Sequence, residues 1–259
     1  MENKISIITP VYNGKKFIKE CLETFIAQKC CNAEHIIVDG KSLDKTLDIV
    51  KSYAEKYSHI RWISEKDSGQ SDAMNKGIKM AEGNIISFLN VDDFYQPNVL
   101  NRALQIFKDL KEPSFVYGNT IIWEEDDWGN YYASRLWVPK FLTFEELLKN
   151  HKLDPQPPNP SGYFYHKSLH DMLGPYNNKL HYIMDKDFIL RTFAGANIIY
   201  VNETWGNYRY IKNTKTHNNL SSPARIWGKY EEIFNNNIKQ LYGNRKAMSK
   251  KMFMPWIKD

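Results

Sequence analysis

Two groups of carboxylates sit just past apolar runs in the first hundred residues. Asp39 follows His35-Ile36-Ile37-Val38, and Asp92-Asp93 follow Ile85-Ile86-Ser87-Phe88-Leu89-Asn90-Val91. If those runs are strands of an open parallel α/β sheet, their carboxyl ends line one crevice and the acids converge on one ligand. Carboxylates repel phosphate, so a phosphorylated ligand there needs a divalent cation between the two. A strand-end acid for a base or ribose, followed by an acid pair for a metal, points to a nucleotide-sugar site.

Other residues could join that site. Pro10 and Tyr12 stand where an apolar run gives way to a loop, so the Tyr12 ring could stack on a base or simply pack in the turn. Asp67 and Asp72 flank Gly69, whose missing side chain permits close approach of a ligand. Asp72 could equally orient the helix that follows. Asp185 and Asp187 open an amphipathic stretch with Phe188, Ile189 and Phe193 on its apolar side. Acids suit a helix start whatever their chemistry, and Asp187 stands four residues before a possible partner, Arg191.

The elements that must position these residues alternate in period. Ile5-Ser6-Ile7-Ile8-Thr9 reads as a buried strand, and residues 15 to 28 carry a helical stripe of Phe17, Ile18, Cys21, Leu22, Phe25 and Ile26. The unit repeats with strands at 34 to 38, 59 to 63 and 84 to 89, and helices near 44 to 56, 71 to 81 and after Pro97. Short connections imply right-handed parallel crossovers with helices on both faces of the sheet. Beyond residue 112 the pattern loosens. Residues 115 to 123 read as extended chain, and Glu124-Glu125-Asp126-Asp127-Trp128-Gly129-Asn130 reads as a solvated hairpin tip. Asp154-Pro155-Gln156-Pro157-Pro158-Asn159-Pro160 is stiff and not helical, and the strand-like Tyr163-Phe164-Tyr165 after it favours a pocket wall over a linker.

Composition narrows the classes. With 259 residues, 35 basic and 30 acidic, the chain has a net charge of +5 and length enough for a large α/β domain. Cys21, Cys30 and Cys31 fit neither a disulfide framework nor paired zinc ligands, which suits a reducing cytoplasm. No run approaches the roughly 18 apolar residues of a membrane span. Residues 245 to 258 interleave cations with Met, Phe and Trp, so the tail could dock on the domain or lie against anionic lipid. Nothing marks a nucleic-acid binder. The turn Tyr12-Asn13-Gly14-Lys15-Lys16 lacks the glycine pattern of nicotinamide enzymes, and the glycine-rich, Arg-containing loop of sugar nucleotidyltransferases is absent as well.

Four motifs in order carry a resemblance: Thr9-Pro10-Val11-Tyr12-Asn13; Val38-Asp39-Gly40-Lys41-Ser42-Leu43-Asp44-Lys45-Thr46; Asp67-Ser68-Gly69-Gln70-Ser71-Asp72-Ala73-Met74-Asn75-Lys76-Gly77; and Leu89-Asn90-Val91-Asp92-Asp93. Over the first 110 residues or so the chain resembles the inverting family 2 glycosyltransferases of the GT-A fold, a Rossmann-like, mostly parallel α/β sheet. The resemblance implies a nucleotide-sugar donor, most simply UDP-linked, bound by Pro10, Tyr12, Asp39, Asp67, Gly69, Asp72 and Asp92, with Asp39 accepting from the uracil NH. It implies Mn²⁺ or Mg²⁺ on Asp92 with Asp93 in support, His217 supplying a late contact to metal or diphosphate. Met184-Asp185-Lys186-Asp187 resembles the segment that carries the family's base, which assigns that role to Asp185. The family's metal motif is Asp-any-Asp, and here Asn90 holds its first position, which weakens the expected metal grip.

The expected organisation is a nucleotide-sugar half over 1–112, an acceptor and catalytic half over 113–220, and a helical, basic-aromatic extension over 221–259. The expected acceptor is a hydroxyl of a glycan or lipid-linked saccharide in surface polysaccharide or lipopolysaccharide synthesis, at the cytoplasmic face of the membrane with possible peripheral contact to anionic lipid. A catalytically impaired GT-A protein that binds nucleotide-sugar or glycan is the rival from another class, separated by donor hydrolysis in the presence of Mn²⁺ or Mg²⁺.

Overall fold

The computed structural model describes residues 2–138, 159–180 and 184–212. His217, the 221–259 extension and residues 154–158 of the proline-rich stretch lie outside the described residues.

Four strands make the parallel half: β1 (Ile5–Val11), β2 (Ala33–Asp39), β3 (Ile60–Ser64) and β4 (Ile85–Phe88). Between them run α1 (Ile18–Ile26), α2 (Thr46–Ala54) and α3 (Gln70–Met80). After β4 come β5 (Phe94–Tyr95), α4 (Val99–Phe107), β6 (Ser114–Glu125) and β7 (Tyr131–Trp137). A 3₁₀ turn at Pro160–Gly162 leads into β8 (Tyr163–His166), then α5 (Ser168–Leu173), α6 (Met184–Gly195) and β9 (Asn197–Tyr210).

The nine strands form one sheet in the order β3-β2-β1-β4-β8-β6-β9-β5, with β7 also paired to β6. β1 pairs in parallel with β2 and β4, and β2 with β3. Past β4 the pairing is mixed: β8 runs antiparallel to β4 and β6, while β6 and β9 run parallel. The acidic tip falls where expected, closing the β6–β7 hairpin through the Asp126 N–H to Asn130 O bond of 2.9 Å.

Helices cover both faces, as the alternation of β1 requires. Ile8 faces a core with Met74, Ile78, Phe188 and Ile189 from α3 and α6. Ile5 and Ile7 face the opposite core with Cys21, Phe25, Leu100 and Phe107 from α1 and α4. α3 lies so close to β1 that a Cβ on Gly77 would stand 2.3 Å from Ile8 Cγ2.

One register detail opens the crevice. β1 meets β4 only from Ile5 to Ile8, whereas it meets β2 as far as Val11 and Asp39. The last three residues of β1 therefore outreach β4, and Pro10, which has no N–H to donate, sits in that overhang. Neighbours of β1 leave in opposite directions at this point, the switch point where open α/β sheets bind ligands.

Candidate active site

The first wall of the crevice is a set of loops tied to one another. Asn13, at φ 53°, donates its N–H to Ser42 Oγ at 2.8 Å and accepts the Leu43 N–H on Oδ1 at 2.8 Å. The loop after β1 is thereby fastened to the loop after β2, leaving the Tyr12 ring 60% exposed. Asp39 is buried at the end of β2, where its carboxylate accepts the Ser64 hydroxyl at 2.6 Å and the Ser42 N–H at 3.2 Å. Asp67 accepts the Gly69 N–H at 3.0 Å, and Gly69 opens α3 at φ 132°. A Cβ on Gly40 would lie 2.5 Å from Asp67 Oδ2 and 3.6 Å from Tyr12 Cδ2, so Tyr12, Gly40 and Asp67 converge beside Asp39. Asp72 is engaged with its own helix: it accepts the Ser68 N–H at 3.0 Å and faces Lys76 at 3.5 Å, and the Ser68 N–H holds its carboxyl below the usual range.

The middle of the crevice is the acid turn after β4. Asp93 is 1% exposed. Its Oδ2 accepts from Asn90 Nδ2 at 2.9 Å and Asn159 Nδ2 at 2.8 Å, and its Oδ1 from the Arg209 N–H at 3.1 Å. Burial and the adjacent Asp92 push the Asp93 carboxyl up, against the pull of those donors. Asp92 is half-buried, and among the described residues no side chain donates to its carboxylate. Burial raises it too, while its own N–H and the Arg209 charge act the other way. Asp93 thus stands behind Asp92, and Asn90 at the first motif position spends its amide on orienting Asp93.

This donor set fits a hard divalent cation of the phosphate-binding kind. Among the described residues no three His, Cys, Asp or Glu side chains converge as a ready cage. One half-buried carboxylate without side-chain donors among the described residues, whose charge burial disfavours, is the ligand such an ion takes when phosphates and water fill its other positions.

The third wall comes from the second half of the chain. β8 runs antiparallel to β4 with Ile86 opposite Tyr165, and Ser87 Oγ donates to Tyr163 O at 2.7 Å, so β8 begins beside the carboxyl end of β4. Tyr163, Tyr165 and Tyr176 are buried there, and burial first, then neighbouring charge that includes Asp185, raises their hydroxyl pKa values. Asp185, half-buried in the first turn of α6, is thus brought to the same end of the sheet as Asp92. The chain ahead of α6 is docked on α3 by Ser71 Oγ to Leu180 O and Asn75 Nδ2 to Tyr176 O, both 2.9 Å. Asp187 faces elsewhere, paired with Arg191 at 2.8 Å, and Arg191 also donates to the carbonyls of Leu173 and Pro175.

Asn75, Asn159 and Arg209 hold this arrangement together, and local pattern does not single out any of the three as a site residue. Asn159 lies in the proline-rich stretch read as a pocket wall, which was its one signal; Arg209 is an isolated cation in a strand, without any.

Residues 6–169 match the profile described as glycosyl transferase family 2. A PGL/p-HBAD biosynthesis glycosyltransferase of Mycobacterium tuberculosis is 30% identical over 199 residues, covering 75% of this chain and 71% of the relative. The glycosyltransferase GlyG of Streptococcus pneumoniae is 32% identical over 133 residues, 51% of this chain and 44% of its own length. Among solved structures, Staphylococcus aureus TarS 1-349 in complex with UDP superposes with a TM-score of 0.63 at 21% identity, covering 80% of this chain and 60% of that one. The mannosyltransferase PcManGT of Pyrobaculum calidifontis, in complex with GDP-Man and Mn²⁺, gives 0.61 at 16% identity, over 82% of this chain and 59% of that one. Such structural likeness speaks for the fold, whereas the profile spans more than half of the chain: the protein belongs to glycosyl transferase family 2 and is a glycosyltransferase of the GT-A fold.

Proposed function

We propose that the protein transfers a sugar, with inversion, from a UDP-linked donor to a hydroxyl of a glycan or lipid-linked acceptor, using Mn²⁺ or Mg²⁺ at Asp92. The observation that carries this reading is that Tyr12, Gly40 and Asp67 converge beside Asp39 at the end of the β1 overhang; the Asp92 turn after β4 and Asp185, whose charge is felt by Tyr163 at the start of β8, support it. The N-terminal half, 1–112, then holds the donor, and the 113–220 half presents the acceptor.

Each residue has a defined task. Tyr12 offers an exposed ring face to the base. Asp39 accepts the uracil NH with lone pairs that Ser42 and Ser64 leave over, since a carboxylate has about four acceptor positions. A cation bound at Asp92 would neutralise charge gathering on the leaving diphosphate. Asp93, fixed by three donors, keeps Asp92 in place. Asp185 takes the proton from the acceptor hydroxyl as that hydroxyl attacks the anomeric carbon from the face opposite the diphosphate, which yields inversion.

The same reading includes surface polysaccharide or lipopolysaccharide as the product class and a peripheral position at the cytoplasmic membrane face. Among the described residues no helix is long and apolar enough to cross a membrane. The test is a thermal-shift screen of UDP- and GDP-sugars with Mn²⁺ and with chelator. A UDP-sugar should raise Tm by mass action only when the metal is present. No rise with any nucleoside diphosphate would sink the reading, and binding without donor hydrolysis or transfer would favour the impaired binding protein.

A further inference from the structure

Arg209 reaches the acid turn twice from the far end of β9. Its main-chain N–H donates to Asp93 Oδ1 at 3.1 Å, and its Nη1 donates to Asp92 O at 3.0 Å. Nη2 pairs with Glu20 of α1. The guanidinium lies 4.7 Å from the Phe94 ring centroid, 5.4 Å from that of Tyr131 and 5.9 Å from that of Phe17. It is 8% exposed, and its Nε has no acceptor among the described residues. A planar cation packed on three rings and forked onto two partners has little freedom to move. Its charge works against any second cation nearby, so metal affinity does not explain why it stands here.

We propose that Arg209 is a positioning residue: it ties the Asp92–Asp93 turn to α1 through Glu20 and to the β6–β7 hairpin through Tyr131, and so sets where Asp92 meets a donor-bound cation. This rests on the metal reading of Asp92 above. The two anchors belong to elements far apart in sequence, and Arg209 is where they meet the turn.

Charge and geometry give opposite signs, which makes the inference testable. UDP is titrated calorimetrically with saturating Mn²⁺ and with chelator, and amide exchange is followed across residues 90–95. Arg209→Lys keeps the charge and loses the fork, so Mn²⁺-dependent UDP affinity should fall by about tenfold, the scale of one lost charge-assisted hydrogen bond, while chelated affinity stays. Amides of the turn should exchange faster. Glu20→Gln acts from the half-exposed end of the pair, leaves the buried cage filled, and should shift both readouts the same way by less.

Tighter Mn²⁺-dependent binding in Arg209→Met would mean that Arg209 is only an electrostatic neighbour, and would overturn the proposal. So would equal losses with and without metal, the mark of a merely structural residue. If UDP binding to the unaltered protein ignores Mn²⁺, the metal reading fails by itself, and exchange decides the brace: faster exchange in Arg209→Lys upholds the positioning of the turn, and unchanged exchange overturns it.

Discussion

At the scale of the residue, what a carboxylate does here follows from its donors. Asp93 has three and is held in place, Asp187 is paired with Arg191, and Asp92 has no side-chain donor among the described residues, which suits the metal role proposed for it. Asp92→Ala should therefore abolish Mn²⁺-dependent UDP binding with little change in Tm, as read by calorimetric titration; unchanged affinity would remove Asp92 from the metal site. Asp39→Ala should weaken UDP and UDP-sugars alike by about 1.5–3 kcal/mol, a charge-assisted hydrogen bond, and equal weakening by Asp185→Ala would contradict the division of tasks. Asp185→Asn should keep donor affinity and slow transfer by about 10²–10⁴ in single-turnover experiments. Asp187→Asn should instead lower stability, by up to about 3 kcal/mol for a broken buried pair, with transfer per folded molecule retained. Near wild-type transfer by Asp185→Asn would shift the base to another acid.

At the scale of the element, α3 is the part whose placement matters most to the site. The loop into it carries Asp67 and Gly69, its first turn carries Asp72, and its body holds the 176–180 segment that leads to α6. Gly77 permits its close approach to β1. Alanine there would gain about 1 kcal/mol of helix propensity, yet its Cβ would meet Ile8 Cγ2 at 2.3 Å inside a filled core. Overpacking of that kind costs about 1–3 kcal/mol, so Gly77→Ala should lower the urea midpoint and weaken UDP as α3 shifts. A midpoint at or above that of the unaltered protein would show that the helix can move away freely.

At the scale of the whole molecule, one sheet carries both halves of the site, and two histidines, the buried His35 and the half-buried His170, report its integrity. His35 sits in the core between Thr9, which it meets at 2.8 Å, and Phe25. Burial pushes it down from 6.5 to about 3. His170, stacked on Phe188, is pushed down by burial to about 4. A group whose folded pKa lies below its unfolded one stabilises the fold above the unfolded value. That stability is lost as pH falls from 6.5 through about 4 and then about 3. Urea midpoints should thus drop between pH 6.5 and pH 4, and His35→Gln should flatten part of the drop. A midpoint constant over that range would show that these rings are not held neutral in the core.

Local pattern by itself determined the parallel half and the places where its strand-end acids fall. β1 to β4 and α1 to α4 show in the sequence because a strand buried on both faces is a short apolar run and a helix on a sheet shows a stripe at 3.6-residue spacing. Asp39 and Asp92 stand out as candidates because they follow such runs, and Asp185 because it heads an amphipathic stretch. The rest needed the folded chain. That β8 lies against β4, that Asn159 donates to Asp93 from 66 residues away, and that Arg209 reaches the same acid across 116 residues are consequences of non-local pairing. Such pairing leaves no periodic mark on either partner, so only the tertiary structure decided which acid is tied down by side-chain donors and which is not.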